Sequence, residues 1–203
     1  VAAGKAGLNV LLLEERERLG GQLTKQTHRF FGSVAERAGT RGIAIIKDLE
    51  TVVSQLKNVE VSLSTTALGI YEDGGATALK GRKMIKIKPK AIIVATGAFE
   101  KFLPFENNDL PGVYGAGAVQ TLMNIYGVLP ARRLLMIGSG NIGLIVSYQL
   151  VQAGAEVVGV VEAASKIGGY LVHASKIRRL GIPIYPSCTI KKAIGKERVE
   201  GAE

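Results

Sequence analysis

Three glycines in the spacing G-x-G-x-x-G, with an acid downstream, are the residues of this chain best suited to bind a ligand. Gly138, Gly140 and Gly143 carry the spacing, after an apolar run that ends at Ile137 and before a helical stretch. Such glycines allow a tight turn, close approach of the backbone to a pyrophosphate, and close packing of helix on strand. Free N–H groups at a helix start also attract the anion. The motif therefore predicts a dinucleotide site whose loop residues are Gly138, Ser139, Gly140, Asn141, Ile142 and Gly143.

Glu162 ends the next apolar run, 19 residues after Gly143. An acid about 20 residues after the motif accepts hydrogen bonds from a ribose 2′-OH. Its carboxylate would repel a 2′-phosphate, so Glu162 favours NAD over NADP. Lys166 stands four residues on and could soften this preference. The alternative to a dinucleotide site is a glycine-rich turn in an α/β domain that binds nothing.

The features that follow the glycine loop are repeated near the start of the chain. Ala153-Gly154, the run to Glu162 and Gly168-Gly169 correspond to three earlier features, namely Ala6-Gly7, the run Val10 to Leu13 with Glu14, and Gly20-Gly21. A gap of one residue aligns the copies. The alignment predicts that the glycine loop of the first copy lies about nine residues before Val1. The chain is therefore expected to be a piece of a longer protein, and these 203 residues alone to bind that site's ligand poorly.

Composition is that of an ordinary soluble α/β protein, with 47% hydrophobic and 21% charged residues. No apolar run approaches the roughly 18 residues of a membrane span. The one cysteine, Cys188, allows no internal disulfide, which favours a cytoplasmic location. The net charge of +9 raises nucleic-acid binding as an option, but no nucleic-acid motif appears. Within the basic segment Lys80 to Lys90, Met84, Lys86 and Lys88 alternate with Ile85 and Ile87, which predicts an edge strand with its lysines toward solvent.

Patterning predicts a strand–helix–strand unit, a three-stranded meander, a further strand, a linker and a second strand–helix–strand unit. Strands are expected at Val10 to Leu13, Val59 to Leu63, Ala67 to Tyr71, Ala76 to Leu79, Lys83 to Lys88, Ala91 to Ala95, Leu134 to Ile137 and Ile182 to Tyr185. Helices are expected at Val1 to Ala6, within Arg37 to Leu56, at Gly115 to Tyr126, after Gly138 and around Leu171 to Leu180. This order predicts two doubly wound α/β domains, the second inserted in the first.

Four motifs in sequence order carry a resemblance that covers nearly all of the chain. They are Glu14 with Gly20-Gly21-Gln22, then Ala95-Thr96-Gly97-Ala98, then Leu110-Pro111-Gly112-Val113, and finally Gly138 to Gly143 with Glu162. The chain resembles the flavoproteins with two dinucleotide-binding domains, the pyridine nucleotide-disulphide oxidoreductase-like family. The resemblance implies a Rossmann-like FAD-binding domain at residues 1–128 and an inserted Rossmann-like NAD-binding domain at residues 129–203, both incomplete.

The resemblance also implies roles for the earlier motifs. Glu14 would bind the adenosine ribose of FAD. Gly20, Gly21 and Gln22 would form a close-approach loop near the flavin or the pyrophosphate. Ala95, Thr96 and Gly97 would lie beside the FAD at the end of a strand. The implied cofactors are FAD and NAD.

The chain departs from the family's disulfide reductases, which carry a cysteine pair beside the flavin. Neither Glu14 to Glu60 nor Gly112 to Arg133 contains a cysteine, and Cys188 reads as a small buried residue in a strand. The expected function is therefore hydride or electron transfer between NAD(H) and FAD without redox-active cysteines. The sequence of Ala98 to Asn124 most resembles the corresponding sequence in the alpha subunits of sarcosine oxidase and dye-linked proline dehydrogenase. An FAD-carrying subunit of a heteromeric amine or amino-acid dehydrogenase is thus one alternative, and a noncatalytic nucleotide-binding subunit is another.

Other polar side chains give weaker signals. No general acid, base or nucleophile can be named, so the catalytic residues stay unidentified. His28 follows the Gly-Gly-Gln loop and could face a flavin, although a surface position is preferred. His173 lies on a predicted helix and reads as structural. With two histidines far apart and no ligand spacing, no metal site is expected. The expected partners are a small-molecule substrate and a partner subunit, without nucleic acid or a membrane span.

Overall fold

Apolar runs form strands and amphipathic runs form helices, largely in the predicted order. The computed structural model describes residues 1–30 and 32–203. The helices are Ala2–Lys5 (α1), Gly42–Gln55 (α2), Ala116–Tyr126 (α3), Asn141–Gln152 (α4) and Leu171–Arg179 (α5). The strands are Val10–Leu13 (β1), Val59–Ser62 (β2), Thr65–Ile70 (β3), Ala76–Lys80 (β4), Lys83–Ile87 (β5), Arg133–Ile137 (β6), Glu156–Glu162 (β7), Ile184–Pro186 (β8), Ala193–Ile194 (β9) and Gly201–Ala202 (β10).

The chain divides into two packing units, Val1–Ala98 and Phe99–Glu203. Each unit is a compact group of residues that pack mainly against one another. The predicted division into cofactor-binding domains at 1–128 and 129–203 concerns ligand binding instead, and it stays a prediction.

In the first unit, β1 and β2 form a parallel pair with Val10 opposite Val59. The side chain of Asn58 fixes the turn between α1 and β1, because its Nδ2 donates to the carbonyls of Gly4 (2.8 Å) and Leu8 (2.7 Å). A Cβ on Gly4 would lie 2.6 Å from the Val59 side chain, so the glycine lets α1 pack closely against this pair. The parallel pair thus brings its carboxyl ends, at Glu14 and Ser62, side by side: the Glu14 amide donates to the Ser62 carbonyl at 3.0 Å.

The predicted meander is present as an antiparallel sheet in the order β3-β4-β5. Asp73 stabilises the first turn, since its Oδ1 accepts the amide of Gly75 at 2.9 Å. β5 is an edge strand, and its exposed Met84 and Lys86 alternate with the half-buried Ile85 and Ile87. The basic segment is therefore a solvated edge, as the alternation predicted.

The strand predicted at Ala91 to Ala95 is wrong for this structure. That segment forms no ladder, and Ile92, Ile93 and Val94 are 40%, 83% and 65% exposed. A strand exists only when its backbone groups pair with a neighbour. Among the described residues β1 pairs with β2 alone, and the apolar segment has no strand beside it. An apolar sequence is typical of a buried strand, but it does not specify the neighbouring strand with which the segment would pair.

The second unit contains a parallel sheet in the order β6-β7-β8, with α4 packed on the sheet and α5 packed on α4. α4 is buried on most of its circumference because it contacts the sheet, α3 and α5. Its core side chains, fully buried, include Leu144, Val146 and Leu150, which pack with Val160 and Ile177. This is one strand–helix–strand–helix–strand unit, and it fixes the glycine loop between β6 and α4.

The helices are short relative to a bilayer. Within residues 1–30 and 32–203, none is long and apolar enough to cross a membrane.

Candidate dinucleotide sites

The glycine loop between β6 and α4 uses each of its three glycines for a different reason. Gly138 has φ of +96°, a conformation that favours glycine. A Cβ on Gly143 would overlap the carbonyl oxygen of Gly138, so this glycine lets α4 approach the loop. A Cβ on Gly140 would meet nothing within 4 Å. Packing inside the protein therefore does not explain Gly140, whereas open space at this position is what a pyrophosphate requires.

Glu162, at the end of β7, turns its carboxylate toward this loop. Its Oε2 accepts the backbone amide of Ser139 at 2.9 Å and the hydroxyl of Ser139 at 2.5 Å. Its Oε1 accepts the amide of Ala164 at 2.8 Å. The structure thus brings the predicted acid and the predicted loop into direct contact.

These donors keep Glu162 negatively charged. The Ser139 hydroxyl, followed by the backbone amides of Ala164 and Ser139, lowers the pKa of the Glu162 carboxyl below its ordinary value of 4.5. Near neutral pH the end of β7 therefore carries a fixed negative charge. A charge in that place suits ribose hydroxyls and disfavours a phosphate.

The Gly168-Gly169 pair closes over the other side of the loop. The amide of Gly169 donates to the Ser139 carbonyl at 2.8 Å, and the amide of Tyr170 donates to Asn141 Oδ1 at 2.8 Å. A Cβ on Gly169 would lie 2.8 Å from Leu144 Cδ1 and 2.9 Å from the Ser139 oxygen, so only glycine fits. Ile142, in the first turn of α4, is 52% exposed. Loop, acid and second glycine pair therefore form one compact group.

The first copy repeats part of this geometry at the end of β1. Glu14 Oε1 accepts the amide of Arg16, two residues on, at 3.0 Å. This is the same bond that Glu162 makes with Ala164. The two aligned acids thus share a local conformation as well as a sequence position, which supports the alignment of the copies.

Gly20 and Gly21 follow in a conformation that favours glycine. Gly20 has φ of +119°, and a Cβ there would lie 2.6 Å from the Ile46 side chain. Gly21 begins a single turn of 3₁₀ helix, Gly21–Lys25, and a Cβ on it would meet nothing within 4 Å. The predicted loop is thus a glycine turn into a short helix, with one glycine required by packing and the other open to a ligand.

Gln22 links this turn to the Ala95-Thr96-Gly97 segment. Its Nε2 donates to the carbonyl of Ala98 at 3.4 Å, and Gly97 has φ of +77°. Two motifs that lie far apart in sequence, and that the resemblance assigns to one FAD, are therefore neighbours in the first unit. Their roles in binding stay predictions.

Cys188 was predicted to be buried in a strand, and this prediction is wrong. It is exposed and follows β8, because the strand ends at Pro186 and the chain turns at Ser187. Its amide donates to the Glu162 carbonyl at 3.0 Å. The thiol-bearing residue therefore lies at the edge of the second dinucleotide site.

The two histidines have different surroundings. His173 is 5% exposed on α5, and burial, followed by the charge of Lys176, lowers its pKa. A buried neutral imidazole fits the predicted structural role. His28 is half-buried, with its ring centroid 5.3 Å from that of Phe30, so it is less exposed than predicted. In the described parts of the chain, no group of three or more acidic, histidine or cysteine side chains could hold a metal.

Two contributions escaped sequence reasoning. The hydroxyl of Ser139 was predicted only as part of a loop, although it contacts Glu162 directly. Glu100 was given no role, yet its oxygens accept the first amides of α3, from Ala116 at 2.8 Å and Gly117 at 2.9 Å. The serine could have been found from its place between two motif glycines. No pattern in the sequence indicates a cap that lies 16 residues before its helix.

Comparison with known proteins identifies one matching family and several relatives. The family model for pyridine nucleotide-disulphide oxidoreductases matches residues 1–203. The alpha subunit of sarcosine oxidase from Rhizobium meliloti (strain 1021) is 31% identical over 183 residues, which cover 83% of this chain and 18% of that protein. A subunit of opine oxidase from the same strain is 24% identical over 200 residues, 88% of this chain and 43% of that protein. The crystal structure of L-proline dehydrogenase from P. horikoshii is 26% identical with a TM-score of 0.64, over 96% of this chain and 33% of that chain.

These matches confirm several predictions. The resemblance to this family and the α/β fold class are correct, and the relatives are named as oxidases and a dehydrogenase, in agreement with the predicted enzyme class. The cofactor classes of such proteins are FAD and NAD(P), in agreement with the predicted FAD and NAD. The chain spans less than half the length of each of these three relatives.

Proposed function

Because this chain belongs to the pyridine nucleotide-disulphide oxidoreductase family, we propose that the protein containing it is an FAD-dependent oxidoreductase. It passes hydride or electrons between NAD(H) and the flavin without redox-active cysteines. The observation that carries this proposal is the repeated geometry at Glu14 and Glu162, each bound to the amide two residues on. A protein with two such sites is built to hold two nucleotides.

Bound FAD and NAD(H) supply the hydride chemistry, and the protein supplies binding and orientation. Gly140 to Gly143, at the start of α4, would present backbone amides to a pyrophosphate, and Glu162 would present a fixed negative charge to a ribose. Gln22 ties the Gly20-Gly21 turn to the segment at Ala95 to Ala98, which supports a role for both beside one ligand. Holding two reactants in contact is itself a large part of the rate enhancement of such enzymes.

The position of the cysteine supports thiol-free chemistry. Cys188 is the one cysteine of the sequence, and it lies beside Glu162, at the ribose end of the second site. The segments that carry the cysteine pair in the family's disulfide reductases contain none here. Electrons would therefore pass directly between the two cofactors.

Gly140→Ala tests the second site without disturbing the fold. Gly140 has φ of −63° and ψ of 171°, which alanine adopts freely, and a Cβ there meets no protein atom within 4 Å. The methyl group would enter the space reserved for the pyrophosphate, so NADH affinity should fall by at least about tenfold. Fluorescence titration of the intact protein with NADH measures this.

Gly201→Ala is the matched control, because a Cβ there makes only ordinary contacts at 3.8 Å with Ile194. It should leave both melting temperature and NADH affinity unchanged. Full NADH affinity in Gly140→Ala, with an unchanged melting temperature, would refute the proposed site.

A second candidate is an FAD-carrying subunit of a heteromeric amine or amino-acid dehydrogenase. Two relatives are named as subunits, of sarcosine oxidase and of opine oxidase, and the proline dehydrogenase structure is similar at 26% identity. In this case a partner subunit would deliver electrons from the substrate. Anaerobic addition of sarcosine, proline or an opine should then bleach the flavin of the purified complex. Bleaching by NADH alone, with none by these substrates, would favour the first candidate.

The third alternative, a noncatalytic nucleotide-binding subunit, follows from the lack of an identifiable acid, base or nucleophile. Reduction of the flavin by NADH or by an amine excludes it. A cytoplasmic location also stays a prediction.

A further inference from the structure

Ser139 makes an unusual number of polar contacts for one small buried residue. Its side chain and backbone are 0% exposed. Its amide and its hydroxyl both donate to Glu162 Oε2, at 2.9 Å and 2.5 Å. Its hydroxyl oxygen accepts the amide of Gly168 at 3.1 Å, and its carbonyl accepts the amide of Gly169 at 2.8 Å. Ser139 therefore connects the glycine loop, the ribose acid and the second glycine pair.

The contacts to Ser139 and Ala164 leave the Glu162 carboxylate little freedom. An ionised carboxylate can accept about four hydrogen bonds. Ser139 takes two of these positions on Oε2, and Ala164 takes one on Oε1. One position remains, on Oε1, for a donor from outside. A ribose hydroxyl is such a donor, whereas a 2′-phosphate brings further negative charge and mainly acceptor oxygens.

We propose that Ser139 is a positioning residue that makes the second site select NAD(H) over NADP(H), by holding the Glu162 carboxylate at the ribose position. This rests on the proposed function, because it assumes that the site binds a nicotinamide dinucleotide. Glu162 alone does not ensure the selection, since a half-buried glutamate at a strand end can rotate its carboxylate into water. The two donors of Ser139 prevent that rotation.

The exposed Lys166 makes the role of Ser139 testable. It stands four residues after Glu162 and is a cation that could pair with a 2′-phosphate. With Glu162 held in place, the repulsion by the carboxylate opposes that pairing. Without the Ser139 hydroxyl, the amides of Ser139 and Ala164 remain as donors, but the carboxylate is held less firmly. The repulsion then falls, and NADPH binds better relative to NADH. Removal of the hydroxyl should therefore change the ratio of the two affinities and not only their size.

The experiment measures dissociation constants for NADH and NADPH on the intact protein by nucleotide fluorescence. Wild type should prefer NADH. In Ser139→Ala, NADH affinity should fall while NADPH affinity holds or rises, so that the NADH/NADPH preference drops at least about tenfold. Ser147→Ala is the matched control: Ser147 is a buried serine of α4 whose hydroxyl has no hydrogen-bond partner among the described residues, so its loss should leave the ratio unchanged.

A double variant separates positioning from general loosening of the loop. If Ser139 acts through Glu162, the variant Ser139→Ala/Glu162→Gln should have the same NADH/NADPH ratio as Glu162→Gln alone. Equal losses for both dinucleotides in Ser139→Ala, or additive effects in the double variant, would overturn the inference. Ser139→Gly replaces Ser139→Ala if the alanine variant does not fold.

The outcomes distinguish this inference from the proposed function. A wild-type protein that binds NADH and reduces its flavin, but whose NADH/NADPH ratio is unchanged in Ser139→Ala, refutes the positioning role alone. A wild-type protein that binds neither dinucleotide refutes the proposed function, and this inference with it. A wild-type preference for NADPH refutes the inference directly.

Discussion

Among single residues, the sequence indicated which loop and which acid belong together in the predicted second site, but not the hydrogen bonds that join them. The spacing of Gly138, Gly140, Gly143 and Glu162 predicted a loop and an acid that meet, and they do meet. Spacing could not reveal that Ser139 holds the carboxylate, because a side chain's hydrogen bonds depend on rotamers and on the loop conformation. Cys188 was interpreted as a small buried residue in a strand, but the strand ends at Pro186 and Cys188 is exposed.

Glu162 should contribute to stability in a manner that depends on pH. Its pKa is lower in the folded protein than in the unfolded chain, chiefly because of the Ser139 hydroxyl. This contribution is fully present above the ordinary value of 4.5 and is lost as the pH falls through the lower folded value. Glu162→Gln should therefore be less stable than wild type at pH near 7, and the difference should narrow toward acid pH. Urea denaturation across this range measures it.

The control for this prediction is Glu72→Gln, a change at an exposed glutamate in the meander turn. It should follow the wild-type stability at every pH. A difference between Glu162→Gln and wild type that is independent of pH would show that the carboxylate's charge has no part in the stabilisation.

At the scale of elements, most helices and strands were predictable because their signals are local. The amphipathic pattern that gave α2 and the glycine turn that gave the meander depend on neighbouring residues alone. The Ala91 to Ala95 segment failed because a strand needs a partner that its own sequence does not specify. The start of α3 likewise depends on Glu100, which is brought to the helix by the fold of the intervening loop.

Glu100→Gln should weaken the start of α3. The carboxylate accepts two amides of the first turn, where the helix dipole favours negative charge, so its neutralisation should cost about 0.3–1 kcal/mol. Hydrogen exchange of the first-turn amides of α3, together with a urea titration, measures the effect.

Glu197→Gln, at an exposed glutamate of the same packing unit, is the control and should change neither measurement. Unchanged exchange at Ala116 and Gly117 in Glu100→Gln would mean that water replaces the cap at no cost.

For the chain as a whole, the internal repeat indicated two nucleotide-binding units, and the resemblance to the family implied that their cofactors are FAD and NAD. One complete and one partial copy of a nucleotide-binding pattern fit a protein that binds two nucleotides, and the family match over residues 1–203 agrees with this. Substrate and partner are properties of the intact protein, since this chain spans only 18% and 43% of the two named subunits. The residues predicted to bind cofactors do not specify either of them.

The central claim is that hydride passes between NAD(H) at the Glu162 site and flavin at the Glu14 site. Anaerobic titration of the intact, FAD-loaded protein with NADH tests it most directly, with the flavin absorbance as readout. Roughly one equivalent of NADH should bleach the flavin, and Gly140→Ala should need a large excess. A flavin that stays oxidised in excess NADH, in a protein that binds both cofactors, would show that no hydride passes between them.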